Sequence, residues 1–148
     1  MTAYIDFDEA LSIYARMVEK SGGGLMGIRE EGGIRKVLDF VRSDDYYPTV
    51  VDKTAYILDG FCSGHFFLDG NKRIALTLSS YFLLKNGYFF AARTFMAEME
   101  AITYHVAAGH MDRDLLVEVI QCIVDGIDYP EALKLDLMQA MDRPLGCE

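Results

Sequence analysis

One short run of the chain, His65-Phe66-Phe67-Leu68-Asp69-Gly70-Asn71-Lys72-Arg73, carries the groups needed to hold a polyphosphate and move part of it. His65 is the side chain in this run that exchanges a proton near neutral pH, which makes it the candidate general base. Asp69 places a carboxylate beside the prospective phosphate site, a common way to hold Mg²⁺, an ion that keeps most of its waters. Gly70 lets the backbone come close to a ligand. A helix beginning at Asn71 would present unpaired N–H groups and a positive dipole end, which together bind anions. Arg73 can grip a phosphate through two parallel bonds, while Lys72 acts as a point charge. Cations normally gather at helix C-termini, so Lys72 and Arg73 at an N-terminus point to a visiting anion. Gly70, Asn71, Lys72 and Arg73 are therefore the candidate phosphate-binding residues. The inventory matches phosphoryl or nucleotidyl transfer, in which positioning and charge neutralisation supply most of the rate. Plainer readings exist for each group: a helix-end histidine bonded to the backbone, an Asp that only caps a helix, a solvated pair of cations, a glycine that only eases a turn.

Two helices must frame this loop. Val51, Ala55, Leu58 and Cys62 form one stripe of a helix from about Val50 to Ser63. The stretch from about Asn71 to Lys85 is apolar almost all round, as expected for the central helix of a bundle, and Asn86-Gly87 ends it in a left-handed cap. Upstream, Phe7, Leu11, Tyr14, Met17 and Val18 share one face of a helix over Asp6 to Lys20, where Asp6 with Glu9 resembles a capping box and Ser21-Gly22-Gly23-Gly24 stops the helix. Gly27 to Gly33 reads as a loop, and Ile34, Val37, Leu38 and Val41 mark a second helix. Ser43 to Pro48 reads as a surface loop or short hairpin. Downstream, Tyr88-Phe89-Phe90 reads as a short strand or a surface crossing. A helix over Thr94 to Ala108 is expected with Thr94 as its N-cap, another capped by Asp112 runs through Leu115 to Ile123, and Pro130 opens a final short one. The expectation is all-α: one domain over residues 1–148, six to eight helices and a small flap or hairpin.

The chain has 148 residues, half of them hydrophobic, enough for a core without disulfides or a structural metal. Its formal charge of −9 argues against nucleic acid or an anionic membrane as the main partner. Cys62, Cys122 and Cys147 are odd in number and widely spaced, which suits a reducing cytosol rather than a disulfide framework. The first residues lack the basic start and apolar run of a signal peptide, and the most apolar stretch, Ile74 to Leu84, is too short to span a bilayer. A cytoplasmic location follows as an expectation. His105 and His110 have no third ligand at metal spacing and read as a helix-end pair. Leu133, Leu137, Met138 and Met141 are expected to pack on their own domain.

The run from His65 to Arg73 resembles the Fic motif, His-Pro-Phe-x-Asp/Glu-Gly-Asn-Gly/Lys-Arg-x-x-Arg, and most of all its Doc, or death-on-curing, branch. Gly27-Ile28-Arg29-Glu30-Glu31-Gly32-Gly33-Ile34 is similar to that branch's upstream signature, and Tyr81-Phe82-Leu83-Leu84-Lys85-Asn86-Gly87 to its helix ending. The resemblance spans about Ile5 to Asp125. It implies that His65 activates a target hydroxyl and that Asp69 binds Mg²⁺. Asn71, Lys72 and Arg73, with the Gly70 backbone, would hold the phosphates of ATP and the developing charge. Ser43 to Thr49 would be a flap that docks the target by strand addition.

Two departures stand out: Phe66 replaces the usual Pro, and Leu76 replaces the second Arg. In Fic adenylyltransferases that Arg helps seat the outer phosphates so that AMP is transferred. Its absence, together with Lys72, resembles Doc, understood to pass the γ-phosphate to a Ser or Thr of a translation factor such as elongation factor Tu. The implied setting is a toxin–antitoxin pair with a Phd-like antitoxin. AMP transfer, or a catalytically silent Fic-fold binding module, are the competing readings. A self-inhibitory helix motif is approached by Thr94-Phe95-Met96-Ala97-Glu98-Met99 but fails at its last position.

Overall fold

The computed structural model describes residues 1–21 and 26–145. Among these it contains seven helices and no strand: α1 (Phe7–Lys20), α2 (Glu31–Phe40), α3 (Val50–Ser63), α4 (Asn71–Lys85), α5 (Phe89–Ala107), α6 (Arg113–Asp125) and α7 (Glu131–Met141). The all-helical expectation holds.

Helix α4 is the axis of the bundle, because nearly every face of it is apolar and needs a neighbour. It packs against α1, α3 and α5, and Ile74, Ala75, Leu78, Phe82 and Leu83 are fully buried. Its buried hydroxyls are satisfied without breaking the apolar surface: Ser79 donates to the Ala75 carbonyl at 2.7 Å and Ser80 to the Ala92 carbonyl at 3.0 Å. Helix α3 lies beside α4, touches α2, α5 and α6, and buries Ala55, Leu58 and Phe61. These two neighbours fix the ends of the loop between them.

Side-chain caps set several boundaries. Asp6 accepts from the Glu9 N–H at 2.8 Å, and Thr49 with Asp52 closes a capping box at the start of α3. Glu9 does not complete a box with Asp6. Its carboxylate instead meets Lys85 Nζ at 2.6 Å and the Tyr81 hydroxyl at 2.9 Å, tying α1 to α4. Gly87 takes the left-handed conformation (φ 91°) expected after α4.

The structure corrects two helix starts and decides one open alternative. Helix α2 begins at Glu31, three residues before the first apolar residue of its stripe. Helix α5 begins at Phe89, so Thr94 is interior rather than an N-cap, and Tyr88-Phe89-Phe90 is helix entry and first turn, not a strand. Burial of Ala91 and Ala92, the latter bonded to Ser80 of α4, draws the helix back without a side-chain cap and leaves Phe89 and Phe90 exposed. The segment at 43–48 is a loop and not a hairpin. The Tyr47 N–H reaches the Ser43 carbonyl at 2.9 Å, and the Tyr47 ring stacks on Tyr56 of α3 at 4.2 Å. Lys53, 1% exposed, secures this loop through the Val41 carbonyl and the Asp44 carboxylate, both at 2.9 Å.

Helix α7 packs on α5 and α6 through Leu133, Leu137 and Ala140, as self-packing requires, although Leu135 and Met138 stay exposed. Cys62 and Cys122 are buried free thiols, while Cys147 and the expected Gly22-Gly23-Gly24 stop lie outside the described residues. No described helix is long and apolar enough to cross a membrane.

His105 and His110 meet Nδ1 to Nδ1 at 3.0 Å, with His105 buried. Such a contact needs one donor and one acceptor, so it tolerates one proton between the two Nδ1 atoms. Burial, and secondly the His110 charge, lower the His105 pKa from its ordinary 6.5. The unfolded chain therefore binds the proton that charges His105 more readily than the folded one. The stabilisation is present above pH 6.5 and is lost as pH falls below that value. Between pH 7.5 and 5.5 the melting temperature is expected to fall, and to fall less in a His105→Gln variant. An equal fall in the variant would refute the assignment.

Candidate active site

Helix α3 ends at Ser63, with Gly64 as its C-cap, and the chain then turns sharply at His65. His65 has φ 51°, the left-handed region that His, Asn and Asp visit more readily than other side chains. That turn takes the exposed imidazole off the helix and to the mouth of a cavity of about 250 Å³. The cavity is lined by every residue singled out in the motif, His65, Asp69, Gly70, Asn71, Lys72 and Arg73, together with Cys62, Leu68 and Tyr104. Larger hollows lie elsewhere: the one around Arg35 (about 440 Å³) and the one around Tyr129 (about 310 Å³) have no imidazole, and the one around His110 (about 440 Å³) sets its cation, Arg143, among the carboxylates of Asp112, Asp114, Glu118 and Asp136, which disfavour an anion.

The loop is held in shape from three sides. The first is the upstream segment at Gly27 to Glu30. The Phe66 carbonyl accepts from the N–H groups of Arg29 (2.7 Å) and Glu30 (3.0 Å), and the Leu68 N–H donates to the Gly27 carbonyl at 3.0 Å. These bonds make an antiparallel bridge between Ile28 and Phe67. The second is Asn71, whose side-chain oxygen accepts from the Phe67 N–H and whose amide donates to the Phe67 carbonyl, both at 3.0 Å. Its side chain is thus committed to closing the loop, and what Asn71 can offer a phosphate is its backbone N–H. The third is α1, where the buried Tyr14 stacks on Phe67 (centroids 4.0 Å apart) and donates its hydroxyl to the Asp69 carbonyl at 3.0 Å.

Gly70 is the N-cap of α4 at φ 78°, a conformation that a side chain would strain. Its N–H meets Asp69 Oδ1 at 2.8 Å, so a carboxylate oxygen already sits on the first amide of the candidate anion site. Lys72 Nζ lies 5.4 Å from the centre of the Tyr104 ring on α5, a cation–π contact that holds the ammonium over the cavity. Arg73 is exposed one residue further along the same turn. Cys62, on the wall, is buried, and burial pushes its thiol up to about 12, which makes it inert as a nucleophile. Among the described residues no group of three His, Cys, Asp or Glu side chains is poised to enclose a metal. A single exposed carboxylate is nonetheless a fitting donor for Mg²⁺, whose other ligands are waters and phosphate oxygens.

Phe66, the departure from the usual proline, is a packing change. Its ring is 9% exposed, lies edge-on to Phe61 at 5.4 Å, and occupies a slot left by two glycines: a Cβ at Gly33 or at Gly64 would come within 2.3 Å of it. Gly33 lies inside α2, where Gly→Ala usually stabilises by up to about 1 kcal/mol. Here the sign should reverse, because overpacking a closed slot costs about 1–3 kcal/mol. Urea unfolding of Gly33→Ala should show a net loss. The loss should vanish in combination with Phe66→Pro, and a net gain from Gly33→Ala alone would contradict the slot.

The sequence-assigned flap at Ser43 to Thr49 does not reach the site. It precedes α3, and the 14 residues of that helix separate it from His65 by about 20 Å. The segment that borders the motif is 27–30. Tyr14 and Tyr104 also went unassigned: Tyr14 is indistinguishable from a core residue on the apolar face of α1, and Tyr104 carries no motif.

The Fic/DOC family description matches residues 4–83. A curated relative, Toxin Doc of Mycolicibacterium smegmatis (strain ATCC 700084 / mc(2)155), is 30% identical over 118 residues, which covers 77% of this chain and 88% of the relative.

Proposed function

The chain belongs to the Fic/DOC family, and from that premise we propose that it is a Doc-like toxin that transfers the γ-phosphate of ATP to a Ser or Thr hydroxyl of a translation factor. The observation that carries the reading is the convergence of His65, the Gly70–Asn71 backbone, Lys72 and Arg73 on one cavity, with buried Leu76 where a second Arg would seat the outer phosphates for AMP transfer. The name of the M. smegmatis relative supports the toxin role; a Phd-like antitoxin as partner and a cytoplasmic setting belong to the same proposal.

In the proposed reaction the target hydroxyl gives its proton to His65 as its oxygen bonds to the γ-phosphorus. The bond from that phosphorus to the β,γ-bridging oxygen breaks, and ADP leaves with the electron pair. Arg73, Lys72 and the first N–H groups of α4 face the charge that builds on the phosphate oxygens. Asp69 would hold Mg²⁺, which when bound would supply neutralisation of phosphate charge. A free backbone edge beside the loop supports a docking place for the target segment. The bridge of Ile28 with Phe67 uses the flanking N–H and C=O groups, so Ile28's own N–H and C=O point away from the loop and take no backbone partner among the described residues. An extended peptide laid on that edge runs beside His65.

The test is transfer from labelled ATP to protein in a lysate. Label from the γ-phosphate alone supports the reading, and label from the α-phosphate alone replaces it with AMP transfer. No label from either, with His65→Ala equal to wild type in growth inhibition, leaves a binding module.

A further inference from the structure

The direction of the first anion-binding amide is set from behind the loop. A trans peptide points its C=O and its N–H to opposite sides. In the peptide joining Asp69 to Gly70, the C=O faces α1, where the Tyr14 hydroxyl donates to it at 3.0 Å. The N–H must then face the cavity, and there it meets the Asp69 carboxylate, an anion, at 2.8 Å. Tyr14 is 2% exposed, and its ring is fixed against Phe67, whose backbone Asn71 clamps in turn. The donor is therefore rigid. The peptide is not rigid by itself, because Gly70, at φ 78°, allows backbone orientations that other residues resist. Rotated by half a turn, the same peptide would present a carbonyl oxygen to the cavity and repel phosphate. We propose that Tyr14 is a positioning residue for phosphate binding, locking the Asp69–Gly70 peptide so that its N–H is presented to the incoming anion. Its phosphate half rests on the function proposed above, while the orientation of the peptide does not.

The experiment compares wild type, Tyr14→Phe, which keeps the stacking ring, and Tyr81→Phe, which loses a hydroxyl bonded to Glu9 away from the loop. In ¹⁵N-labelled protein, Tyr14→Phe should shift the Gly70 amide signal and speed its hydrogen exchange. Calorimetry should show Mg·ATP and pyrophosphate bound about tenfold more weakly, the scale of one lost hydrogen bond. In the transfer assay KM should rise while kcat changes less. Tyr81→Phe should do none of these, even if its melting temperature falls as far. A Gly70 amide unchanged in Tyr14→Phe overturns the inference with no nucleotide present. Equal weakening in Tyr81→Phe overturns it as a generic loss of stability. A wild-type protein that binds neither Mg·ATP nor pyrophosphate overturns the phosphate half and the proposed function together, while the Gly70 amide still decides the orientation.

Discussion

His65→Ala is expected to lower the rate of phosphate transfer by about 10²–10⁴-fold, the range that a positioned general base contributes. The imidazole lines the same cavity as the phosphate-binding candidates, so its loss removes the proposed proton acceptor while leaving the proposed cradle. Nucleotide affinity should change little. One structural effect has to be separated from the chemical one. At φ 51° an alanine is strained more than a histidine, so His65→Ala also loosens the turn after α3. Asparagine tolerates that conformation and cannot act as the base. His65→Asn should therefore reproduce the loss of rate with a melting temperature nearer to wild type. Single-turnover transfer with both variants is the measurement. Activity in His65→Asn within threefold of wild type would remove His65 from the chemistry.

The second large effect is expected at Arg73. Arg73→Ala should reduce kcat/KM by about 10²–10³-fold, the loss seen when one preorganised donor to a developing charge is removed. Its side chain is exposed and lines the cavity, so truncation should cost little stability. The backbone of that turn is kept by its own bonds, including the Thr77 hydroxyl on the Arg73 carbonyl at 2.7 Å. Arg73→Lys should recover only part of the loss, because an ammonium restores charge without the two parallel bonds of a guanidinium. Lys72 should be the milder site, since its ammonium stays near the Tyr104 ring and must divide its time with the phosphate. Kinetics of the transfer reaction, with melting temperatures measured alongside, decide both points. Full activity in Arg73→Ala would mean that the helix N-terminus and Lys72 carry the phosphates alone.

The two predictions differ in what they ask of the fold. His65 depends on the C-terminal end of α3, Arg73 on the first turn of α4, and the distance between them depends on the loop that Asn71, Tyr14 and the 27–30 segment hold. Any change that lets this loop move should lower the rate without touching either residue.

Much of this was legible in the chain. A helix apolar on all faces has to be central, so the position of α4 followed from its composition. The order of His65, Asp69, Gly70, Lys72 and Arg73 across a helix junction marked a candidate anion site, because local backbone geometry alone turns the first N–H groups of a helix outward. What the sequence left undecided depended on contacts between residues distant in the chain. The side chain of Asn71 was assigned to phosphate, yet it is spent on Phe67, a pairing visible only once the loop has folded back on itself. Tyr14 lies 55 residues from the carbonyl that it holds, and no periodicity encodes such a partner. The segment beside the motif was sought at 43–49 and lies at 27–30, because Gly27, Arg29 and Glu30 pair with the loop through backbone groups that every sequence possesses. Helix α5 likewise begins five residues before its expected cap, since packing of Ala91 and Ala92 outweighs the missing cap. Local chemistry thus determined which groups could meet a polyphosphate, while long-range packing and backbone pairing decided how those groups are aimed.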